Sequence, residues 1–226
     1  ANFEPLGTQL ESSEQKWAKV SGNELLAMGA AFAGLKFYSA YPMSPATHVL
    51  EWLAGHATEL GICVRQVEDE ISVINMAIGA GHMGVRSMCA TSGGGFALMT
   101  EAIGMAGIME TPVVAINVMR AGPSTGVPTK TEQADLTQAL GASQGDFPRI
   151  IIAPVSMPDC FETPALAFDL ADRYQCPVII LTDLLLSEGT ETVDPAFLDR
   201  SFDVDRGELI LQADGPPEGE PYLRFK

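Results

Sequence analysis

The chain has 226 residues, 46% of them hydrophobic, which suffices for one large domain with a substantial core. Its formal net charge of -16 argues against nucleic acid or an anionic membrane surface as the partner. No apolar run is long and clean enough for a membrane span, and nothing at the start reads as a signal peptide.

Residues 1–20 are polar and mixed, and read as a linker running into the first helix. From Ser21 the pattern becomes helical and rich in Ala and Gly, with Gly34 as the C-terminal stop. Residues 35–40 read as a first strand. Tyr41-Pro42-Met43-Ser44-Pro45 follows, where two prolines three apart impose an extended turn on Ser44. The same letters also fit a helix start with Ser44 as N-cap and Pro45 in first position; the readings are compatible, because a helix N-terminus is itself an anion site.

Residues 48–60 are amphipathic and helical, and 62–67 read as a second strand ending in Glu68-Asp69-Glu70. A helix over 71–83 and a strand over 85–90 lead to Thr91-Ser92-Gly93-Gly94-Gly95, a turn where backbone could approach a ligand closely. A helix over 96–108 precedes a β-branched run, 112–118, with the look of a buried parallel strand. Arg120 stands at its end, followed by a loop with Gly122, Pro123, Gly126 and Pro128 that can continue neither helix nor strand. Thr131 is placed to cap the next helix. A strand over 149–153, a helix over 157–174 and a last strand over 177–182 complete the pattern, after which order is expected to fade into an acidic, Pro/Gly-rich tail.

Continuously apolar strands alternating with helices predict an α/β fold, an open parallel sheet with helices on both faces. Ligands of such sheets bind outside the carboxyl ends of the strands. A lone cation there, on a loop rich in small hydroxyls, suits an anionic ligand; a bland Pro/Gly connection with a surface arginine explains the same letters.

Cys63, Cys89, Cys160 and Cys176 form no CxxC, and three of them, Cys63, Cys89 and Cys176, lie in or beside apolar strand-like runs. Buried reduced thiols in a cytoplasmic protein are expected. His48, His56 and His82 form no metal-ligand pattern. The chain starts at Ala1 and ends at Lys226, and both ends read as cut from something longer.

Three literal motifs fail on context. Gly79-Ala80-Gly81-His82-Met83-Gly84 matches GxGxxG but ends a helix and precedes a strand, the inverse of a dinucleotide fingerprint. Gly122-Pro123-Ser124-Thr125-Gly126 matches GxSxG, yet all histidines precede Ser124 and prolines fill the place where a helix should start. A serine hydrolase is therefore the last alternative. Lys130-Thr131 lacks the glycine of a phosphate-binding loop.

Taken together, several stretches in order resemble the α subunit of the 2-oxoacid:ferredoxin oxidoreductases, specifically the domain holding the pyrimidine end of thiamine diphosphate. Tyr41-Pro42-Met43-Ser44-Pro45 is similar to that family's YPITP motif, Glu68-Asp69-Glu70 to its EDE segment, and Thr91-Ser92-Gly93 with Leu98-Met99-Thr100-Glu101 to its TSGxG…LMxE run. Residues 120–135 match nearly letter for letter. The resemblance implies a pyrimidine-binding domain over residues 21–183, with 184–226 an acidic linker toward a further C-terminal domain.

The resemblance also implies roles. Glu70 falls on the catalytic glutamate beside the aminopyrimidine ring, where a carboxyl at a ring nitrogen favours the imino tautomer that accepts the thiazolium proton; a plain helix-start acid is the bland reading. Ser92 and Gly93 fall on cofactor-binding positions. Arg120 falls on the arginine that binds the 2-oxoacid carboxylate. Tyr41, Ser44, Thr125 and Thr129 fall around the substrate, with Ser44 replacing a threonine and so changing the pocket's shape while keeping its hydroxyl.

No GDG…N pattern and no cluster-type cysteine spacing is present, so the resemblance assigns Mg2+, diphosphate binding and a 4Fe-4S cluster to a separate β subunit. The implied reaction is CoA-dependent oxidative decarboxylation of a 2-oxoacid, with 2-oxoglutarate the best guess, to acyl-CoA, CO2 and reduced ferredoxin, in a dimer of heterodimers. A half-site of a non-oxidative thiamine enzyme and a non-catalytic assembly domain are the alternatives.

Overall fold

The structure is a computed structural model describing residues 17–199 and 201–208. Six strands form the main sheet: β2 (Phe37–Ala40), β3 (Cys63–Gln66), β4 (Ser87–Thr91), β5 (Val113–Met119), β6 (Ile150–Ile152) and β7 (Pro177–Asp183). Their order is β3-β2-β4-β5-β7-β6, and every pairing is parallel. β5 and β7 are buried along their whole length and pair residue for residue from Val113 opposite Pro177 to Met119 opposite Asp183.

Side-chain alternation along β5 divides the core into two layers. Val114, Ile116 and Val118 face one cluster, with Leu25 and Leu26 of α1 (Gly22–Phe32), Leu53 of α2 (Thr47–Leu60) and Phe161 of α6 (Met157–Tyr174). Val113, Ala115 and Met119 face the other, with Ile74 of α3 (Glu70–His82) and Phe96 and Met99 of α4 (Gly93–Ile108). Helices thus cover both faces, which is why the strands carry no polar alternation.

Local signals set the helix ends. Ser21 and Glu24 form a reciprocal capping box on α1, and Gly34 beyond it takes φ +86. Asp69 caps α3, its Oδ1 accepting from the backbone N–H of Ile71 at 2.9 Å and Ser72 at 3.1 Å.

Three expectations are corrected. The helix expected to open at Thr131 is only the short α5 (Leu136–Leu140), because the residues before it direct their side chains into tertiary bonds: the Thr131 hydroxyl and the Gln133 amide donate to Asp183 at 3.3 and 2.6 Å. Order does not fade after Asp183. Asp183 caps α7 (Leu184–Glu188), β8 (Thr190–Val193) pairs antiparallel with β1 (Ala18–Ser21), and Phe197 and Phe202 pack on Phe161 at 5.3 Å between ring centroids. The part of the linker over 18–20 is accordingly strand; the remainder of the linker over 1–16, and 209–226 of the tail, lie outside the described residues. Cys63 is exposed rather than buried, since β3 is the edge of the sheet, whereas Cys89, Cys160 and Cys176 are buried.

At the amino-terminal edge of the sheet, buried Arg86 donates through Nε to Asp172 at 2.9 Å, through Nη2 to Asp169 at 2.7 Å and to the Asp205 carbonyl at 2.9 Å. This network ties residues 205–206 to the sheet, on the side away from the carboxyl ends.

Candidate active site

Tracing the sheet, the chain runs from β2 outward to β3, then crosses back to β4 and onward to β5. The switch in direction falls between β2 and β4, where the crevice of an open α/β sheet lies. Every candidate site residue stands at these carboxyl ends, on a loop or at the first position of the helix that follows: Tyr41 and Ser44 after β2, Glu70 opening α3 after β3, Ser92 and Gly93 at the start of α4 after β4, and Arg120, Thr125 and Thr129 after β5.

Glu70 is only 4% exposed, and its Oε1 has no hydrogen-bond partner among the described residues. The ordinary duty of an acid at a helix start is already discharged by Asp69. A buried carboxyl oxygen without a partner is costly, so Glu70 is held for something other than folding. Its seat is made by Gly95: a Cβ there would lie 2.6 Å from Glu70 Oε1 and against the Thr91 hydroxyl. Tyr41 lies beside the same acids; the Glu68 carboxylate, then partial desolvation and a hydrogen bond to Glu68, with smaller effects of Glu70 and Asp69, raise its phenol above the ordinary value. Tyr41 is therefore a neutral donor at physiological pH.

Arg120 is 8% exposed and joins two loops. Nη1 donates to the Ser44 carbonyl at 2.6 Å and Nη2 to the Thr125 carbonyl at 2.9 Å, while Nε is buried without a partner among the described residues. The guanidinium thus braces the site as well as charging it; each Nη retains a second proton for an anion. Ser44 is exposed and caps nothing: α2 begins at Thr47 with Ala46 as an uncapped N-cap. Thr125 is brought to Arg120 through its backbone only. Thr129 is exposed, and its hydroxyl makes no hydrogen bond among the described residues.

Ser92 is fully buried, precedes α4 without capping it, and leaves Oγ unpartnered among the described residues. Gly93 packs against the Asp135 carboxylate. Thr91, whose hydroxyl reaches the Met43 sulfur at 3.7 Å across the crevice, and Gly95 were not singled out for the chemistry. Neither were Asn23, which donates to the Pro45 carbonyl at 2.7 Å, and Asn117. An asparagine inside the otherwise apolar run of β5 was the one visible signal. Ser124 has φ +58 on an exposed loop and no helix follows until Leu136, so the nucleophile-elbow reading has no structural counterpart.

The family model described as "Pyruvate flavodoxin/ferredoxin oxidoreductase, thiamine diP-bdg" matches residues 28–219. A 2-oxoacid:ferredoxin oxidoreductase subunit alpha of Saccharolobus solfataricus is 39% identical over 221 residues, covering 92% of this chain and 35% of that one. The 2-oxoglutarate synthase subunit KorA of Archaeoglobus fulgidus is 43% identical over 174 residues, covering 77% of this chain and 50% of that one. A solved 2-oxoglutarate:ferredoxin oxidoreductase from Magnetococcus marinus, with 2-oxoglutarate, coenzyme A and succinyl-CoA bound, superposes with a TM-score of 0.81 at 41% identity over 85% of this chain and 34% of that one. The chain thus spans about a third to a half of the length of these relatives. It belongs to the thiamine diphosphate-binding family of the pyruvate flavodoxin/ferredoxin oxidoreductases.

Proposed function

We propose that this chain is the part of a 2-oxoacid:ferredoxin oxidoreductase α subunit that holds the pyrimidine end of thiamine diphosphate, and that the whole enzyme converts 2-oxoglutarate and CoA to succinyl-CoA, CO2 and reduced ferredoxin. The observation that carries this reading is the buried, unpartnered Oε1 of Glu70 at the strand-end crevice. It fits a ring nitrogen that needs one carboxyl oxygen, and the glycine seat at Gly95 fixes where that oxygen points. The bound cofactor supplies the nucleophilic carbon and the electron sink for breaking the bond between the carboxylate and the carbonyl carbon.

The chain's own residues bind and orient. Glu70 shares a proton with the ring nitrogen through Oε1. Ser92 Oγ and the Gly93 backbone lie at the turn that borders the cofactor. Arg120 offers its free Nη protons to the 2-oxoacid carboxylate, with the Ser44 and Tyr41 hydroxyls as neutral donors and Thr125 and Thr129 on the outer loop. The relatives carrying 2-oxoglutarate in their names support that substrate over other 2-oxoacids.

By resemblance to the family, Mg2+ and the 4Fe-4S cluster are assigned to a separate β subunit. The surface that meets it is the outer side of α3 and α4. The exposed faces of both helices carry Ile71, Met76, Leu98 and Ile108 beside only the polar Asn75, His82 and Glu101, in a chain of net charge -16. They start at the site, so a partner seated on them also closes it. Residues 21–183 carry the proposed cofactor-holding site, and α7, β8 and the segment through Phe202 pack back onto it. Two α–β pairs are proposed to assemble in the cytoplasm. No described helix is long and apolar enough to cross a membrane.

The test is substitution in the assembled enzyme. Glu70→Gln should abolish most turnover while folding and assembly are retained; normal turnover would sink the assignment. Arg120→Ala should raise KM for the 2-oxoacid strongly, the loss of a charge-assisted contact of roughly 1.5–3 kcal/mol. An unchanged KM would remove Arg120 from the pocket.

A further inference from the structure

The Arg120 loop ends at Asp135, the residue preceding α5. An aspartate there ordinarily turns back to cap its own helix. Asp135 does not, for α5 has no side-chain cap. Its carboxylate crosses to α4 instead. Oδ2 accepts from Asn117 Nδ2 at 3.0 Å and lies 2.7 Å from where Gly93, the first residue of α4, would carry a Cβ. Any side chain at Gly93 would displace the carboxylate. Ser92, at the cap position of α4, makes no capping bond. The positive end of a sixteen-residue helix is thus faced by a carboxylate from another segment. Asn117, fully buried in β5, holds that carboxylate in place.

From this geometry we propose that Asp135, held by Asn117, is a positioning residue that locks the Arg120 loop to the glycine turn seating Glu70. Gly93 is two residues from Gly95, whose missing Cβ makes the room for the Glu70 carboxyl. The loop's other hydrogen bonds within the described residues bind it to itself or to β7: Ala121 N–H to the Lys130 carbonyl at 2.9 Å, Gly122 N–H to Glu132 at 3.1 Å, and Thr131 and Gln133 to Asp183. Arg120 holds its other end to Ser44. Asp135 is therefore where the substrate side and the cofactor side of the site are made one body, a role that rests on the assignment of those sides above.

The experiment compares Asp135→Ala and the milder Asp135→Asn with wild type in the assembled enzyme. Amide hydrogen exchange is followed by residue, and KM for 2-oxoglutarate and the affinity for thiamine diphosphate are measured separately. In Asp135→Ala, exchange at 93–95 and 120–130 should rise about tenfold or more while α6 and β7 stay protected. KM should rise and thiamine affinity fall together, each roughly tenfold. Asp135→Asn, which keeps an acceptor for Asn117 but not the charge facing α4, should fall between. Unchanged exchange at 93–95 in both variants would overturn the lock, as would a rise in KM with thiamine affinity intact. Exchange is read without turnover, so a wild-type enzyme that consumed no 2-oxoacid would defeat the functional reading while leaving this test decisive.

Discussion

Glu70 and Asp69 divide the work at the start of α3: Asp69 satisfies the helix, and Glu70 keeps a buried oxygen unspent. That division depends on the absence of a side chain at residue 95. Gly95→Ala should push the Glu70 carboxyl and the Thr91 hydroxyl apart and lower kcat by roughly tenfold or more, with a stability loss of about 1–3 kcal/mol from overpacking. Turnover and a denaturant titration check the two effects separately. Arg120→Lys keeps the charge but cannot brace both the Ser44 and Thr125 carbonyls, so its KM should lie between wild type and Arg120→Ala. Tyr41 gives the pH dependence. With its phenol raised chiefly by Glu68, it stays protonated throughout the neutral and mildly alkaline range. Glu68→Gln removes that push and should move phenol ionisation down toward its ordinary value, read as the phenolate absorbance that Tyr41→Phe abolishes; an unmoved titration would show that Glu68 is not the cause.

At the scale of elements, burial also sorts the thiols. Desolvation pushes Cys89 and Cys160 up to about 12 and Cys176 up to about 11, so all three stay protonated and shielded, while Cys63 lies open on the edge strand. Thiol labelling of the folded chain should therefore find one fast cysteine, lost in Cys63→Ser, with the other three reacting only on unfolding. The misjudgement of Cys63 shows where sequence reading stops: the stretch Ile62-Cys63-Val64-Arg65-Gln66-Val67 announces a strand, but not whether that strand is central or edge. β5 and β7 were legible because seven consecutive buried residues leave a hydrophobic run. β1 and β8 were not, since AKVS and TETV are short and polar and each finds its partner about 170 residues away. The helix misplaced at Thr131 failed for a related reason, because Gln133 and Thr131 are drawn to Asp183 by contacts that no local pattern encodes. In the site, Glu70 and Arg120 were found by motif, whereas Thr91 and Gly95 act through packing and Asp135 through a long-range bond from Asn117, so these became visible only in three dimensions.

Over the whole molecule, two ends of the sheet carry different duties. The amino-terminal edge is closed by Arg86, buried with Asp172. Arg86→Met should destabilise the chain by roughly 1–3 kcal/mol in denaturant titration, because it removes one of the two guanidinium groups on the buried Asp172 carboxylate and leaves Arg206 Nε, at 2.7 Å, as the other. The carboxyl edge is open, bordered by exposed Ser44, Thr125 and Thr129 and by the apolar flank of α3 and α4. It is the edge at which the half active site is proposed. The most direct measurement is 2-oxoacid-dependent viologen reduction by the native complex, with and without CoA and thiamine diphosphate, across 2-oxoglutarate, pyruvate and branched-chain oxoacids. The account predicts reduction that requires both CoA and thiamine diphosphate and is fastest with 2-oxoglutarate. No reduction from an intact complex with filled clusters would contradict it, and decarboxylation without reduction would assign this half-site to a non-oxidative thiamine enzyme.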